Sequence, residues 1–195
     1  MLLLHDYKLI YIHVHRTAGT ALSEVLREIS TDYLETQNQH ANVQTQELQF
    51  IQTHPDYTVV GVARNPWDRI ASWYSLLHKS RPLELKEDRF RFEIFLRDDQ
   101  MIAQNDGSIH YNCLDYFSTT EDRIITRHIL QYDNLEMELD RLCRQYNMPK
   151  LAIDKINRSP RLNLRELYTE KSRELVRQKC EKDIAFFDYE FVDAV

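Results

Sequence analysis

The sequence predicts an α/β protein built on a parallel sheet, and three observations carry that prediction. Apolar, β-branched-rich runs at Lys8–Val14 (KLIYIHV) and Tyr57–Ala63 (YTVVGVA) read as buried strands. Each passes within a few residues into a stretch whose apolar side chains repeat with helical spacing. No internal repeat, low-complexity tract or Gly/Ser linker divides the 195 residues, so residues 1–195 read as a single domain with ample core.

The elements follow in order. From Thr17 onward, Leu22, Val25, Leu26 and Ile29 fall at i, i+3, i+4 and i+7 and stripe a first helix. Pro66 to about His78 predicts a second, with proline where a first turn tolerates it and Ile70, Trp73, Tyr74 and Leu77 facing inward. Residues 79–117 are polar and irregular apart from a short helical pattern at Phe90–Leu96. A substrate-specific cover on the acceptor side belongs in such a segment. Arg123–Ile129 predicts a third strand, and Leu135, Leu139, Leu142, Cys143 and Tyr146 stripe the helix after Asn134. A last helix is expected from about Thr169, a good N-cap, to about Phe186, with the aromatic run Phe186–Phe191 as core beneath it.

Composition narrows the function classes. A net charge of -6 argues against broad nucleic-acid binding, which leaves a basic footprint. It does not exclude a local basic pocket for one anionic ligand. No apolar run approaches the roughly 18 residues of a membrane helix, and the opening MLLLHDYK, interrupted by His5 and Asp6, is too short for a signal peptide. Cys113, Cys143 and Cys180 are odd in number and widely spaced, which suggests packing residues rather than a disulfide framework. A reducing cytoplasm is the simplest expectation.

The chemistry concentrates at the two strand ends. In an α/β sheet, ligands bind where strands end and the following helices present free N–H groups. Arg16-Thr17-Ala18-Gly19-Thr20-Ala21 occupies such a junction. Gly19 permits close backbone approach to an oxyanion, Thr17 and Thr20 offer hydroxyls, and Arg16 supplies a permanent charge. A nucleoside-triphosphate P-loop would need G-x-x-x-x-G-K-[ST]. Here Val14 stands at the first glycine position, and the charge precedes the turn instead of following it. An ordinary βα turn with a surface arginine is the plain alternative. At the second strand end, Arg64 and Ser72 can hold a second phosphate by a charge-assisted contact and a hydroxyl. Asp68 and Arg69 read as structural, and Trp67 and Trp73 as core or wall residues.

Eight histidines offer candidate bases, since imidazole titrates nearest neutrality. His13 and His15 point to one face and suggest a metal pair, but no third ligand stands at a recognisable spacing, so no metal is expected. His54, before Pro55, reads as a turn residue. His110 is a lower alternative inside the cover. No nucleophilic cysteine or paired-carboxylate site has a basis in the sequence.

Taken together, YIHVHRTAGTALSEVL resembles the 5′-phosphosulfate loop of the sulfotransferase superfamily in its carbohydrate sulfotransferase form (H-I-P-K-T-A-G-T-S). VARNPWDRIASWY resembles the 3′-phosphate segment (V-R-N-P-W-D-R-x-x-S-x-Y). The likeness continues through QYDNLEMEL, KINRSPRLNLRELYTEKSRELV and DIAFFDYEF, spanning Tyr11 to Phe191 and weak across Lys79–Ser108. It implies 3′-phosphoadenosine 5′-phosphosulfate (PAPS) as donor and 3′-phosphoadenosine 5′-phosphate (PAP) as product. It also implies a P-loop-like three-layer α/β/α sandwich around a central parallel sheet. Arg16 stands where the family has lysine and His15 where it has proline. Arginine does not give up its proton, so only electrostatic stabilisation of the leaving phosphate is expected of Arg16. His40 opens a segment similar to the family's H-A-T-A-x-E-L and is thereby the expected general base. Asn157, Arg158 and Ser159 resemble a segment near the nucleotide, so Arg158, or else Arg161, is expected to reach a phosphate.

The leading reading is therefore sulfuryl transfer from PAPS to a hydroxyl of a carbohydrate or glycan-like acceptor. Two other classes stay open: a non-catalytic PAP/PAPS-binding or interaction module on the same scaffold, and an ATP-dependent phosphoryl transferase.

Overall fold

Five strands form one sheet, β1 (Leu2–Leu4), β2 (Leu9–Ile12), β3 (Tyr33–Glu35), β4 (Thr58–Ala63) and β5 (His128–Gln131), in the order β3-β1-β2-β4-β5. β2 pairs with β4, and β4 with β5, in parallel, while β1 is antiparallel to both β2 and β3. Four strands thus share one direction and β1 alone opposes them. The helices are α1 (Gly19–Ile29), α2 (Leu48–Thr53), α3 (Pro66–Leu77), α4 (Leu85–Arg97), α5 (Leu114–Phe117), α6 (Leu135–Gln145), α7 (Glu170–Lys179) and α8 (Glu181–Phe187). This computed structural model describes residues 1–44, 48–80, 82–99, 109–151 and 164–192. Among them no helix is long and apolar enough to cross a membrane.

The chain divides into two compact units, Met1–Arg64 with Cys113–Asn157, and Asn65–Asn112 with Arg158–Val195. The first holds the sheet. Alternation along the strands puts Leu9 and Tyr11 of β2, Val60 and Val62 of β4, and Leu130 of β5 on one face. Leu22 and Leu26 of α1 and Leu135, Leu139 and Leu142 of α6 join them in one buried cluster. Each such side chain contributes roughly 1.5–3 kcal/mol by leaving water. Between Val60 and Val62, Gly61 points to the opposite face. There a Cβ would lie 2.1 Å from the Phe117 ring, so the close seat of α5 on β4 needs glycine.

The second unit is helical, with Ile70 and Tyr74 of α3, Phe92 and Phe95 of α4, and Tyr168 at its centre. The Asn65 side chain caps α3 by accepting the Trp67 N–H, one turn start satisfied by the protein itself. Asp68 accepts two hydrogen bonds from Arg165, at 2.8 and 2.7 Å, and the fully buried Arg69 donates to the carbonyls of His110 and Tyr111. Both are structural, as the sequence suggested.

Several elements differ from expectation. β1, β3 and α2 carry too few residues to give a periodic signal. The third strand is displaced from Arg123–Ile129 to His128–Gln131, because Ile124 bridges Ser118 and the Ile125 N–H donates to Phe117 O. The helical pattern at Phe90–Leu96 belongs to the longer α4. The last helix begins after Thr169, whose hydroxyl caps it in a box with Ser172, but it breaks at Cys180 into α7 and α8.

Candidate active site

β2 and β4 are parallel neighbours in register, Tyr11 opposite Val60 and Ile12 opposite Gly61, so the residues that follow them leave the same edge of the sheet. The turn after β2 is tight. Arg16 and Ala18 both adopt left-handed backbone, φ 65 and 64, a conformation that costs an ordinary side chain on the order of 1 kcal/mol or more. Thr17, fully buried, donates its hydroxyl to Val14 O at 2.9 Å and pins the turn from within. That hydroxyl hydrogen is engaged, which leaves the Thr17 backbone and the exposed Thr20 hydroxyl as the threonine groups open to a ligand.

Ala18 is the N-cap of α1 and provides no side-chain cap, and the first turn of α1 contains no acidic residue. The Leu22 N–H makes the first intrahelical bond, to Ala18 O at 3.0 Å. The N–H groups of Ala18 to Ala21 therefore precede the hydrogen-bonded ladder, at the positive end of the helix dipole. Gly19 answers a steric demand too. A Cβ there would sit 1.8 Å from His13 Cδ2 and 2.0 Å from its Nε2.

Arg64 reaches this turn from the end of β4. Its Nη1 donates to the Arg16 carbonyl at 3.1 Å, and its guanidinium lies 4.3 Å from the centre of the Tyr132 ring. Its Nε is buried without a hydrogen-bond partner, and no carboxylate pairs with it among the described residues. Burial first, and the charge of Arg64 second, pull the Arg16 guanidinium below its ordinary pKa. Two arginines beside an uncapped helix N-terminus make a concentration of positive charge that an anion would relieve.

Three histidines stand next to it. His13 is buried, and desolvation drives its pKa down to about 3, so the ring is neutral at physiological pH. His15, also buried, has Nδ1 2.8 Å from the Tyr116 hydroxyl. His40, half-buried, is brought up by the loop before α2. There the Asn38 side chain accepts the His40 N–H at 2.9 Å, and the Met1 nitrogen donates to Thr36 Oγ1 and to Gln39 O. The His40 ring stacks on His15 with centroids 3.4 Å apart and meets His13 edge-on at 4.5 Å. Burial lowers its pKa, partly offset by the hydrogen bond from Nδ1 to His13 O. His40 thus presents a face to one ring and meets the other edge to face. No group of three His, Cys, Asp or Glu side chains able to hold a metal exists among the described residues.

Within this unit the fold brings together Arg16, Thr17, Ala18, Gly19, Thr20, Ala21, Arg64 and His40. Ser72 lies on α3 of the other unit and is buried there. Arg158, with Asn157, Ser159 and Arg161, falls outside the described residues, as do residues 81 and 100–108 of the expected cover. His54 closes the turn after α2 with Nδ1 2.8 Å from Phe50 O, and the His110 carbonyl accepts from Arg69. Sequence reasoning missed Tyr116 and Tyr132. Neither gives a local signal, since each reaches the site only through the pairing of distant segments.

No curated protein and no solved structure gives a significant match. A family model described as "Sulfotransferase family" matches residues 1–190, which includes both strand-end motifs and every described residue of the site. The chain belongs to the sulfotransferase family.

Proposed function

We propose that the protein transfers a sulfuryl group from PAPS to a hydroxyl of a carbohydrate or glycan-like acceptor. The observation that carries this reading is the meeting of Arg16 and Arg64 on one sheet edge, beside an uncapped helix N-terminus and next to His40. Among the described residues, the first-turn N–H groups of α1 make no hydrogen bond and the Arg64 guanidinium meets no carboxylate, and both suit a doubly anionic nucleotide. When bound, the donor supplies activated sulfur: the acceptor oxygen forms a new S–O bond as the S–O bond to the 5′-phosphate breaks, leaving PAP.

The remaining work falls to the chain. The N–H groups of Ala18 to Ala21 and the Arg16 guanidinium bind the 5′ end, and Arg16 offsets negative charge as it grows on the departing phosphate. Because Arg16 keeps its proton, it assists only by charge. Arg64 takes the 3′-phosphate, with Ser72 and Arg158 assigned to the nucleotide by the family motifs. His40 accepts the proton of the acceptor hydroxyl as the oxygen bonds to sulfur. The P-loop-like character of the sandwich belongs to the same proposal, resting on the strand, turn and helix of residues 9–29.

Transfer of radiolabelled sulfate from PAPS to panels of glycans, phenols and lipids tests the reading. Label on a glycan with the parent protein, and a loss of roughly 10²-fold or more in His40→Ala with PAP binding intact, is the expected result. PAP binding with no transfer to any panel would leave a donor-binding module. Preference for ATP would indicate phosphoryl transfer.

A further inference from the structure

The proposed reaction uses one of the three clustered histidines, yet the other two are built around it. A backbone carbonyl only accepts hydrogen bonds. The approach of His40 Nδ1 to His13 O, at 3.1 Å, therefore places a proton on Nδ1. In the neutral ring the lone pair is then on Nε2, which has no hydrogen-bond partner among the described residues. On the open side of this arrangement the ring would be free to tilt, but His15 lies against its face, centroids 3.4 Å apart and planes 23° from parallel. His15 is fixed in turn by the Tyr116 hydroxyl at 2.8 Å, and Tyr116 is fully buried on α5.

We infer that the His13 carbonyl and the His15–Tyr116 pair are positioning groups for His40: the carbonyl selects the tautomer whose Nε2 is basic, and the stacked pair holds the ring plane. This rests on the reading of His40 as the base. It gives a role to His15, the residue that replaces the proline of the family motif, since proline offers neither an aromatic face nor a partner for Tyr116. The design suits a base that must carry charge briefly. When Nε2 takes the acceptor proton, the Nδ1–H···O=C bond becomes charge-assisted and stronger. The titratable groups facing His40 are His13, His15 and the Met1 nitrogen, with Tyr116 behind His15. His13 is held neutral by burial, so it does not compete for the proton.

Two measurements test the inference. The first is ¹⁵N NMR of histidine-labelled parent protein, which reads the tautomer directly. Nδ1 of His40 should appear protonated and Nε2 bare above its pKa, and the reverse assignment would overturn the inference whatever the variants do. The second compares His15→Ala and His15→Phe. His15→Ala opens the ring face to water, so kcat should fall roughly 10- to 100-fold with KM changed by less than about threefold. The acid limb of its rate profile should shift upward as desolvation of His40 is relieved. His15→Phe keeps the stack, so its loss should be several-fold smaller and its acid limb should stay near the parent's. A full rate and an unmoved limb in His15→Ala would overturn the positioning role. The base reading fails separately, if His40→Ala retains turnover.

Discussion

Gly19→Ala measures how tightly the turn is packed on its histidine. In a helix, alanine is favoured over glycine by up to about 1 kcal/mol, so propensity alone predicts a gain. The structure predicts a loss. The new Cβ would lie 1.8, 2.0 and 2.7 Å from His13 Cδ2, Nε2 and Cγ, and a ring only 6% exposed has little room to withdraw. Inserting one methyl into such a site costs typically about 1–3 kcal/mol, leaving a net loss of up to about 2 kcal/mol once the propensity gain is set against it. For a chain of this length that is a fall in Tm of up to about 8 °C. The assay is thermal and urea unfolding at pH 7.5 of four proteins: parent, Gly19→Ala, His13→Ala and the double variant. With the ring removed, alanine at 19 should be neutral or stabilising by up to ~1 kcal/mol, giving a coupling of about 1–3 kcal/mol. Equal costs of Gly19→Ala in both backgrounds would refute the contact, and a stabilised single variant would refute the packing argument outright.

Other outcomes follow from the same geometry. His13 has a folded pKa of about 3 against an ordinary 6.5, so the folded state favours its neutral form. That stability is fully present above pH 6.5 and is lost as pH falls toward 3, amounting to about 2–3 kcal/mol by pH 4.5. His13→Leu should flatten the urea midpoint between pH 7.5 and 4.5 relative to the parent, and parallel curves would remove His13 from acid unfolding. Gly61→Val sets a branched side chain where even a Cβ meets Phe117 at 2.1 Å, and should cost about 2–4 kcal/mol, read by urea unfolding. Asp68→Asn removes the charge beneath Arg165, in a pair 20–24% exposed, and should lower stability by about 1–2 kcal/mol with PAP affinity unchanged. Arg16→Lys exchanges a planar fork for a point charge and should change turnover more than PAP affinity, measured by steady-state rates beside calorimetry.

Much of the framework was legible in the sequence, because β2, β4, α1, α3 and α6 bury long apolar runs whose periodicity is a direct imprint of the face they hide. β1 and β3 were not, since three residues carry no period and their pairing depends on the hairpin through His5–Tyr7. The displacement of β5 shows the same limit: Ile124 and Ile125 are apolar and β-branched, but tertiary pairing with Ser118 and Phe117 claims them first. The break at Cys180 is invisible to a helical stripe that continues across it. At the site, the two arginines could be placed because strand ends in a parallel sheet share an edge. The sequence reading gave Gly19 only the role of admitting an oxyanion, and could not foresee the His13 ring against its Cα. Nor could it foresee Tyr132 under Arg64, because that contact joins residues far apart in the chain.

Calorimetry with PAP and ADP on parent and Arg64→Ala tests most directly whether Arg64 and Arg16 serve one anionic adenine nucleotide. The parent should prefer PAP, and Arg64→Ala should weaken PAP by about 2–3 kcal/mol while changing ADP, which lacks the 3′-phosphate, far less. Equal affinity of the parent for the two nucleotides, or equal losses for both in the variant, would contradict that shared role.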